Sequence, residues 1–350
     1  MLIPNYNREE HLGCCLESIR AQTFTDWTAI IGDNASTDHS AEIVRSFEDP
    51  RFRLVQRKQN VGYVRNTNLL IAEAQTELVA ILHSDDWWEP DFLVRLIDLL
   101  DCSPSALIAV CAARHLLETG TRRIHPLGRN GLGTEDAVLA SPDAARLLVR
   151  GWPVLTPSSV LARSDLYKRL RFEESLPYST DWLMWLRASS IGAVAVSTKP
   201  MTNVRKHRAS VTGQAEGDVL WADEWIRLAA ILDAEWEAGG TPYPGAGTEL
   251  WTMNALRFLM KSYELLEGGN RGGALKLTRL ARQAAPTTRW RTAAGLLELF
   301  VRATSPAFAG WLRRSAGRAV RRISRPARPL APRDLGTSAM RDILTVLRES

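Results

Sequence analysis

The sequence predicts an α/β fold: a mostly parallel sheet flanked by helices, followed by an all-α carboxyl-terminal extension. Three observations carry this. Short apolar runs alternate with helix-period segments through the first third of the chain, and strand–helix–strand spacing of this kind implies parallel strands joined by crossover helices. Polar clusters close the apolar runs, at Pro4 to Asn7, Asp33 to Asp38 and His83 to Asp86, which is where parallel sheets bind ligands, beyond the carboxyl ends of their strands. After Gly213 the strand signals stop.

Taken in order, Leu2-Ile3 reads as the stub of a first strand. Residues 7–21 read as a helix with Leu12, Cys15, Leu16 and Ile19 on one face. Thr28-Ala29-Ile30-Ile31 is a short buried strand and residues 40–47 are helical. Residues 52–55 alternate like a strand, 62–74 are helical, 78–82 form a buried strand and 90–100 a helix. The stretch that follows, residues 128–133 above all, reads as a glycine-rich loop. Strand, helix and strand return at 154–162, 181–190 and 194–196. Trp221, Trp225, Leu228, Ala229, Leu232 and Trp236 stripe a helix that is interrupted at Gly239-Gly240. Helices at 249–267 and 273–285 follow, the second stopped by Pro286, then 290–303 and a basic helix at 308–323. Pro326, Pro329 and Pro332 make an extended linker before a short terminal helix. The expected division is a catalytic domain over 1–213, a helical, Arg-rich extension over 214–325, and a linker with terminal helix over 326–350.

Composition excludes several classes. Apolar residues at 45% and charged residues at 24% are globular values, which rules out global disorder and a collagen-like repeat. No apolar run approaches the ~18–20 residues of a membrane span, and no signal-peptide pattern follows Met1. Cys14, Cys15, Cys102 and Cys111 are too few for a disulfide scaffold and form no C-x-x-C pair, so a reducing cytoplasm is the expected compartment. The net charge of +5 is uneven: residues 251–350 hold 19 Lys/Arg against 6 Asp/Glu. Between Arg271 and Arg328 the only acid is Glu298, and Phe308, Trp311, Leu312 and Ile323 lie among arginines. A basic amphipathic helix with aromatic anchors fits an anionic membrane surface, here the inner face of the plasma membrane. A solvated helical cap fits the same residues. No recognition motif accompanies the charge, so nucleic acid is not an expected partner.

The strongest chemical signal is His83-Ser84-Asp85-Asp86, directly after a buried strand. Carboxylates there face the cleft and can take a hard divalent cation through oxygen; Asp85 or Asp86 can equally cap the helix that follows Pro90. Asp33 to Asp38 carries the same two readings.

Together these clusters say more. Ile3-Pro4-Asn5-Tyr6-Asn7-Arg8, Gln22-Thr23-Phe24-Thr25-Asp26-Trp27, Gly32-Asp33-Asn34-Ala35-Ser36-Thr37-Asp38, Asn60-Val61-Gly62-Tyr63 and Leu82-His83-Ser84-Asp85-Asp86 with Pro90 closely resemble, in that order, the family 2 glycosyltransferases, which have the GT-A fold. The resemblance covers about residues 1–213. It implies that Pro4 and Tyr6 line a nucleotide pocket, with Asn7, Asn34, Asn60 and Gly62 among the donor contacts. Asp33 would accept a hydrogen bond from a uracil- or thymine-type base, hence a UDP- or dTDP-type donor. Asp85 would meet the ribose or sugar, and Asp86 would hold a divalent cation, Mg²⁺ or Mn²⁺, on the diphosphate. In Ser179-Thr180-Asp181-Trp182-Leu183-Met184-Trp185-Leu186-Arg187, Asp181 matches the family's catalytic base, although a helix N-cap fits that position too. Asn203-Val204-Arg205-Lys206-His207 resembles a closing Arg-x-His segment, which would bring Arg205 to the diphosphate and His207 to the metal.

The implied chemistry is a metal-dependent single displacement with inversion. The cation stabilises charge developing on the nucleoside diphosphate, and a carboxylate takes the acceptor's proton. The implied partners are a nucleotide-sugar donor and a saccharide or lipid-linked acceptor, in cell-surface polysaccharide or glycolipid synthesis. The chain departs from the family pattern in places. His83 stands where many relatives have Asp, Thr67 where they have Arg, and Leu170-Arg171-Phe172-Glu173-Glu174 where they have Gly-Gly-Phe-Asp-Glu. The first strand is short by family standards, which predicts further residues before Met1. Two alternatives come from other classes. A nucleotidyltransferase acting on sugar phosphates would be expected to carry a glycine-rich, lysine-bearing phosphate loop near the first strand, and none is found. A catalytically inactive nucleotide-sugar or membrane-binding module is opposed by the intact Asp33, Asp85, Asp86 and Asp181. The donor sugar, acceptor, linkage and oligomeric state are not legible in these motifs.

Overall fold

The computed structural model describes residues 1–117, 122–125, 135–151, 155–207 and 219–288, with single positions at 120 and between 291 and 301. In chain order the elements are β1 (Leu2–Asn5), α1 (Glu9–Arg20), β2 (Ala29–Asp33), α2 (Ser40–Ser46), β3 (Phe52–Gln56), α3 (Tyr63–Glu73), β4 (Leu78–Ala80), β5 (Trp87–Trp88), α4 (Phe92–Asp101), β6 (Ala106–Leu117), β7 (Arg122–His125), β8 (Ala137–Leu139), α5 (Ser141–Arg150), β9 (Val160–Arg163), α6 (Ser164–Leu170), α7 (Thr180–Ile191), β10 (Ala193–Lys206), α8 (Leu220–Gly239), α9 (Ala246–Glu267) and α10 (Arg271–Ala284).

β1, β2 and β3 pair in parallel, and a parallel bridge from Leu2 to Ile81 carries the sheet on to the end of β4. From there the order runs β4-β9-β6-β10-β5, with β6 and β10 parallel and the other pairings antiparallel. The sheet is therefore parallel where crossover helices were expected and mixed beyond. Its strands alternate between two apolar faces, as the two-residue period of a strand requires. Leu2, Ile30, Val79 and Ile81 face one core, with α3, α5, α7 and the helices after residue 219. Ile3, Ile31, Ala80 and Leu82 face the other, with α1, α2 and α4. At Gly32 any side chain would collide with Leu70 of α3, because a Cβ there would lie 2.8 Å from its Cδ1. This glycine lets α3 sit close against β2, and Asn66 of the same helix donates to the Gly32 carbonyl at 2.7 Å.

Six elements, β5, β6, β7, β8, α5 and α6, were not expected from the sequence. β6 is the longest of the new strands, yet Ala106-Leu107-Ile108-Ala109-Val110-Cys111-Ala112-Ala113 is alanine-rich and a poor strand former alone. Its place between β9 and β10 decides its structure. α5 and α6 were also unread. The strand expected at 154–162 is a 3₁₀ turn at Pro157–Ser159 followed by β9. β10 runs far past the expected 194–196, broken by register shifts between Ser197 and Thr202. Asp136 accepts from the backbone N–H of Thr198 at this irregularity, at 2.9 Å. Bulges bend strands, and beyond this one β10 pairs with β5 and leads to Arg205 and His207.

The helical extension shares the amino-terminal half's core. Trp225, Leu228, Phe258 and Leu277 belong to the same buried cluster as Trp182, Trp185 and Val196. The Arg257 guanidinium, 4% exposed, donates to Asn254 and to the carbonyls of Val149 and Gly151 at the end of α5, and stacks on Trp182 at 4.8 Å. Burial pulls its pKa down to about 9. No helix among the described residues is long and apolar enough to cross a membrane. The glycine-rich loop at 128–133, the boundary at 213/214, the basic helix at 308–323, the Pro-rich linker and the terminal helix lie outside the described residues.

Because the two parts share one core, the whole chain is expected to unfold in urea as one cooperative transition. Arg257→Ala should lower its stability by about 2–4 kcal/mol by leaving buried carbonyls unpaired. Two resolved transitions, one per part, would refute the shared unit.

Candidate active site

The carboxyl ends of β1, β2 and β4 and the far end of β10 converge on one rim. On β1, Asn5 donates to Asp33 of β2 at 3.1 Å, and Ser36 donates to the same carboxylate oxygen at 2.5 Å. Asp33, 2% exposed, thus closes the turn after β2. Asn34 donates to Asn60 at 2.8 Å and accepts from the Val61 N–H at 2.9 Å, while Asn60 also accepts from the Gly62 N–H. These two asparagines clip the loop after β2 to the loop before α3. Gly62 has φ +86°, a conformation open to glycine at little cost. Asn7, at φ 49°, accepts from the Thr37 N–H, and Tyr6 stands exposed beside Pro4 at the lip. Capping chemistry is present as well: Asp38 accepts from the N–H groups of Glu9 and Ser40, serving the starts of α1 and α2 together.

The acidic turn after β4 holds two unlike carboxylates. Asp86 is sunk, 2% exposed, and accepts from the Ser158 hydroxyl at 2.6 Å and from the Arg205 backbone N–H at 3.0 Å. Burial, with Asp85 next to it, pushes its pKa up to about 8. Asp85 is more open. Its carboxylate meets His207 Nε2 at 3.0 Å and Arg8 at 3.6 Å. Burial opposes its charge, but His83, His207 and Arg8 outweigh that and hold its pKa below the usual range. Neither residue caps a helix, since α4 begins after Asp91. Arg205 donates to the Asp85 carbonyl and lies over Trp87 at 4.9 Å.

Ligand atoms of His83, Asp85 and Asp86 lie within 4.8 Å of one another. Two carboxylates and an imidazole form a donor set that suits Mn²⁺ or Mg²⁺. Burial lowers the pKa of His83 and so keeps its ring neutral, the form that ligates. His207, expected at the metal, is drawn onto Asp85 at the edge of this group.

Asp181 lies in the first turn of α7, two residues past Ser179, so it is not itself the N-cap residue. Its Oδ1 accepts from the Trp182 N–H at 2.7 Å. Burial is the main reason its pKa rises to about 6; Lys206 pulls the other way and Glu224 adds to the rise. The link to the acidic turn is Tyr63. Its hydroxyl is 2.9 Å from His83 Nε2, and after burial the charge of Asp181, then those of Asp85 and Asp86, raise its pKa. The four acids expected from the sequence fall in two places: Asp85, Asp86 and Asp181 all act on the Tyr63 phenol, and Asp33 lies at the end of β2, bonded to Asn5 and Ser36.

Sequence reasoning missed Tyr63, Ser158, Lys206, Arg8 and Glu224. Tyr63 and Arg8 stand inside the quoted motifs, where their residue types were a usable signal. Ser158 and Glu224 reach the site only through tertiary structure.

Residues 1–171 match the family model described as Glycosyl transferase family 2. The chain is 35% identical over 116 residues to the putative glycosyltransferase EpsH of Bacillus subtilis (strain 168), covering 30% of this chain and 33% of that protein. It is 30% identical over 102 residues to the putative teichuronic acid biosynthesis glycosyltransferase TuaG of the same organism, covering 29% of this chain and 40% of TuaG. The chain thus spans less than half the length of either relative. Among solved structures, S. aureus TarS 1-349 in complex with UDP-GlcNAc matches with a TM-score of 0.63 at 17% identity, over 91% of each chain. Mannosyltransferase PcManGT from Pyrobaculum calidifontis in complex with GDP-Man and Mn²⁺ matches with a TM-score of 0.53 at 17% identity, over 89% of this chain and 85% of that one. These two likenesses concern the fold, and it is that of the GT-A enzymes. With its parallel strands, acidic turn and ordered motifs, the amino-terminal half of the chain belongs to glycosyl transferase family 2.

Proposed function

We propose that the chain transfers a sugar from a nucleoside-diphosphate donor to an acceptor hydroxyl with inversion, Asp181 taking the acceptor's proton. What supports this is that the charge of Asp181 and those of Asp85 and Asp86 all reach one phenol, Tyr63, whose hydroxyl is 2.9 Å from His83 of the acidic turn. The acceptor oxygen forms a bond to the anomeric carbon as the sugar–phosphate bond breaks. The electron pair leaves with the nucleoside diphosphate, and the proton goes to Asp181. A single displacement of this kind inverts the anomeric centre. A carboxylate of ordinary pKa is a weak base near neutrality, and partial burial brings Asp181 closer to the working range.

The donor would lie across the ends of β1 and β2. Pro4, Tyr6 and Asn7 border the base, Asp33 receives its N–H, and Asn34, Asn60 and Gly62 shape the pocket wall. The complex of TarS with UDP-GlcNAc supports a uridine-type donor. A divalent cation, which would neutralise charge on the departing diphosphate, would be held by Asp86 and Asp85 with His83. Arg205 and His207 would complete the diphosphate side. The acceptor would be a saccharide or lipid-linked glycan of the cell surface, a class the name of TuaG supports. The basic residues beyond Ala285 would meet an anionic membrane surface.

Three outcomes test this reading. Asp181→Asn should lower turnover by about 10²–10⁴-fold while isothermal titration still shows nucleotide binding, and wild-type kcat should fall tenfold per pH unit below about 6, where Asp181 is protonated. Unchanged donor turnover in that variant would falsify the base assignment. Chelation should abolish turnover, with Mn²⁺ restoring more than Mg²⁺ because an imidazole shares the site; His83→Asp should reverse that order. Binding to phosphatidylglycerol vesicles should weaken with salt and vanish on deletion after Ala285, and salt-independent binding would count against membrane contact.

A further inference from the structure

Asp181 is held from both sides by the helical extension. On its amino-terminal side, Glu224 of α8, 3% exposed, accepts from the backbone N–H of Tyr178 at 3.0 Å. Burial raises the Glu224 pKa; the Tyr178 N–H, then Ser179 and the charge of Arg227, work against that rise. Helix starts leave backbone N–H groups without intrahelical acceptors. Ser179 is the N-cap residue, yet its side chain makes no capping bond. A carboxylate from α8 approaches this turn instead, where negative charge is favoured by the helix dipole.

On the carboxyl-terminal side, the ring of Trp182 packs on Trp225 at 4.5 Å, and the Arg257 guanidinium lies 4.8 Å from Trp182 and 5.6 Å from Trp225. Residues on both flanks of Asp181 are therefore fixed by α8 and α9, while Asp181 itself is partly open.

We infer that Glu224 is a positioning residue for Asp181, setting the first turn of α7 and so the aim of the carboxylate, which makes the helical extension part of the catalytic unit. This rests on Asp181 acting as the base. The groups that act on Asp181 among the described residues are Lys206 at the end of β10, Glu224 on α8 and the neutral Tyr63 on α3. Of these, Glu224 is the one whose charge opposes ionisation of Asp181.

The test uses the full chain with Glu224→Gln and Glu224→Ala, set beside Asp181→Asn. Glu224→Gln keeps an oxygen for the Tyr178 N–H but removes the charge. It should retain most of the turnover and move the acid limb of the kcat profile to lower pH. Glu224→Ala removes both, and kcat should fall by about 10–10²-fold through misplacement of the base. Donor KM and the Kd for UDP should stay at their wild-type values, because the nucleotide rim is built from β1, β2 and the loop before α3. Wild-type kcat and an unmoved pH profile in both variants overturn the inference. Should Glu224→Ala fail to fold, the acid limb of Glu224→Gln decides alone. A fully active Asp181→Asn overturns the base assignment and this inference together, whereas an inactive Asp181→Asn beside wild-type-like Glu224 variants overturns the inference only.

Discussion

The site depends on how one carboxylate is buried. Asp86 sits below the rim with almost no solvent contact, and a charge in that position needs partners from elsewhere in the chain. It takes one from the 3₁₀ turn before β9, the Ser158 hydroxyl, and one from β10, the Arg205 N–H. Ser158 is fully buried and is itself committed. Its carbonyl accepts from Trp88 Nε1 and Thr202 Oγ1, and its hydroxyl accepts from the His83 N–H. These bonds join β4, β5, β9 and β10 at one point. The irregularity in β10 belongs to the same arrangement: the strand first pairs beside β8, then beside β5, and its second half supplies Arg205 and His207. A straight strand in one register would not serve both ends.

How much of this was legible follows from the range of the interactions. Apart from the two-residue β5, the strands and helices through Leu100 announce themselves by period and by turn chemistry, both local properties, and their expected bounds fall within a few residues of the observed ones. Acids at strand ends were legible for the same reason. β6 was not, because its alanine-rich run has no strong preference and becomes a strand through the neighbours on either side. The two readings of each acidic cluster could be separated only in three dimensions. Asp38 proves to serve helix starts, Asp85 and Asp86 cap no helix, and Asp181 sits inside the first turn of α7, where it accepts the Trp182 N–H. Asn34 and Asn60 were read as donor contacts, and the structure shows them bonded to each other's loops, a scaffold for the rim.

The charge asymmetry of the chain takes on structural meaning in this frame. The acidic half concentrates carboxylates at the rim and then offsets them piecemeal with Arg8, His207, Arg205 and Lys206. Burial still leaves Asp86 and Asp181 reluctant to ionise. A site of this kind is electrostatically uncomfortable when empty, and proteins commonly accept such local instability where chemistry requires it. The surrounding core must then supply the rigidity, and the stack of Trp182, Trp225 and Phe258 with Arg257 lies directly behind Asp181.

That stack also bears on why the helical extension is not a detachable appendage. Arg257 is a buried cation whose described bonds are to neutral carbonyls and whose neighbours are indole rings. Carbonyl dipoles and ring faces both stabilise a guanidinium, though less than a carboxylate would. A carboxylate placed here, however, would add negative charge behind Asp181 and make its ionisation harder still. An arginine held by dipoles and rings ties α5, α7, α8 and α9 together without that penalty. Glu224, by contrast, is an acid near the same helix start, and its effect on Asp181 is of the opposite sign. The extension therefore contributes rigidity through one residue and electrostatic tuning through another. The amino-terminal half shares both its core and the start of α7 with it.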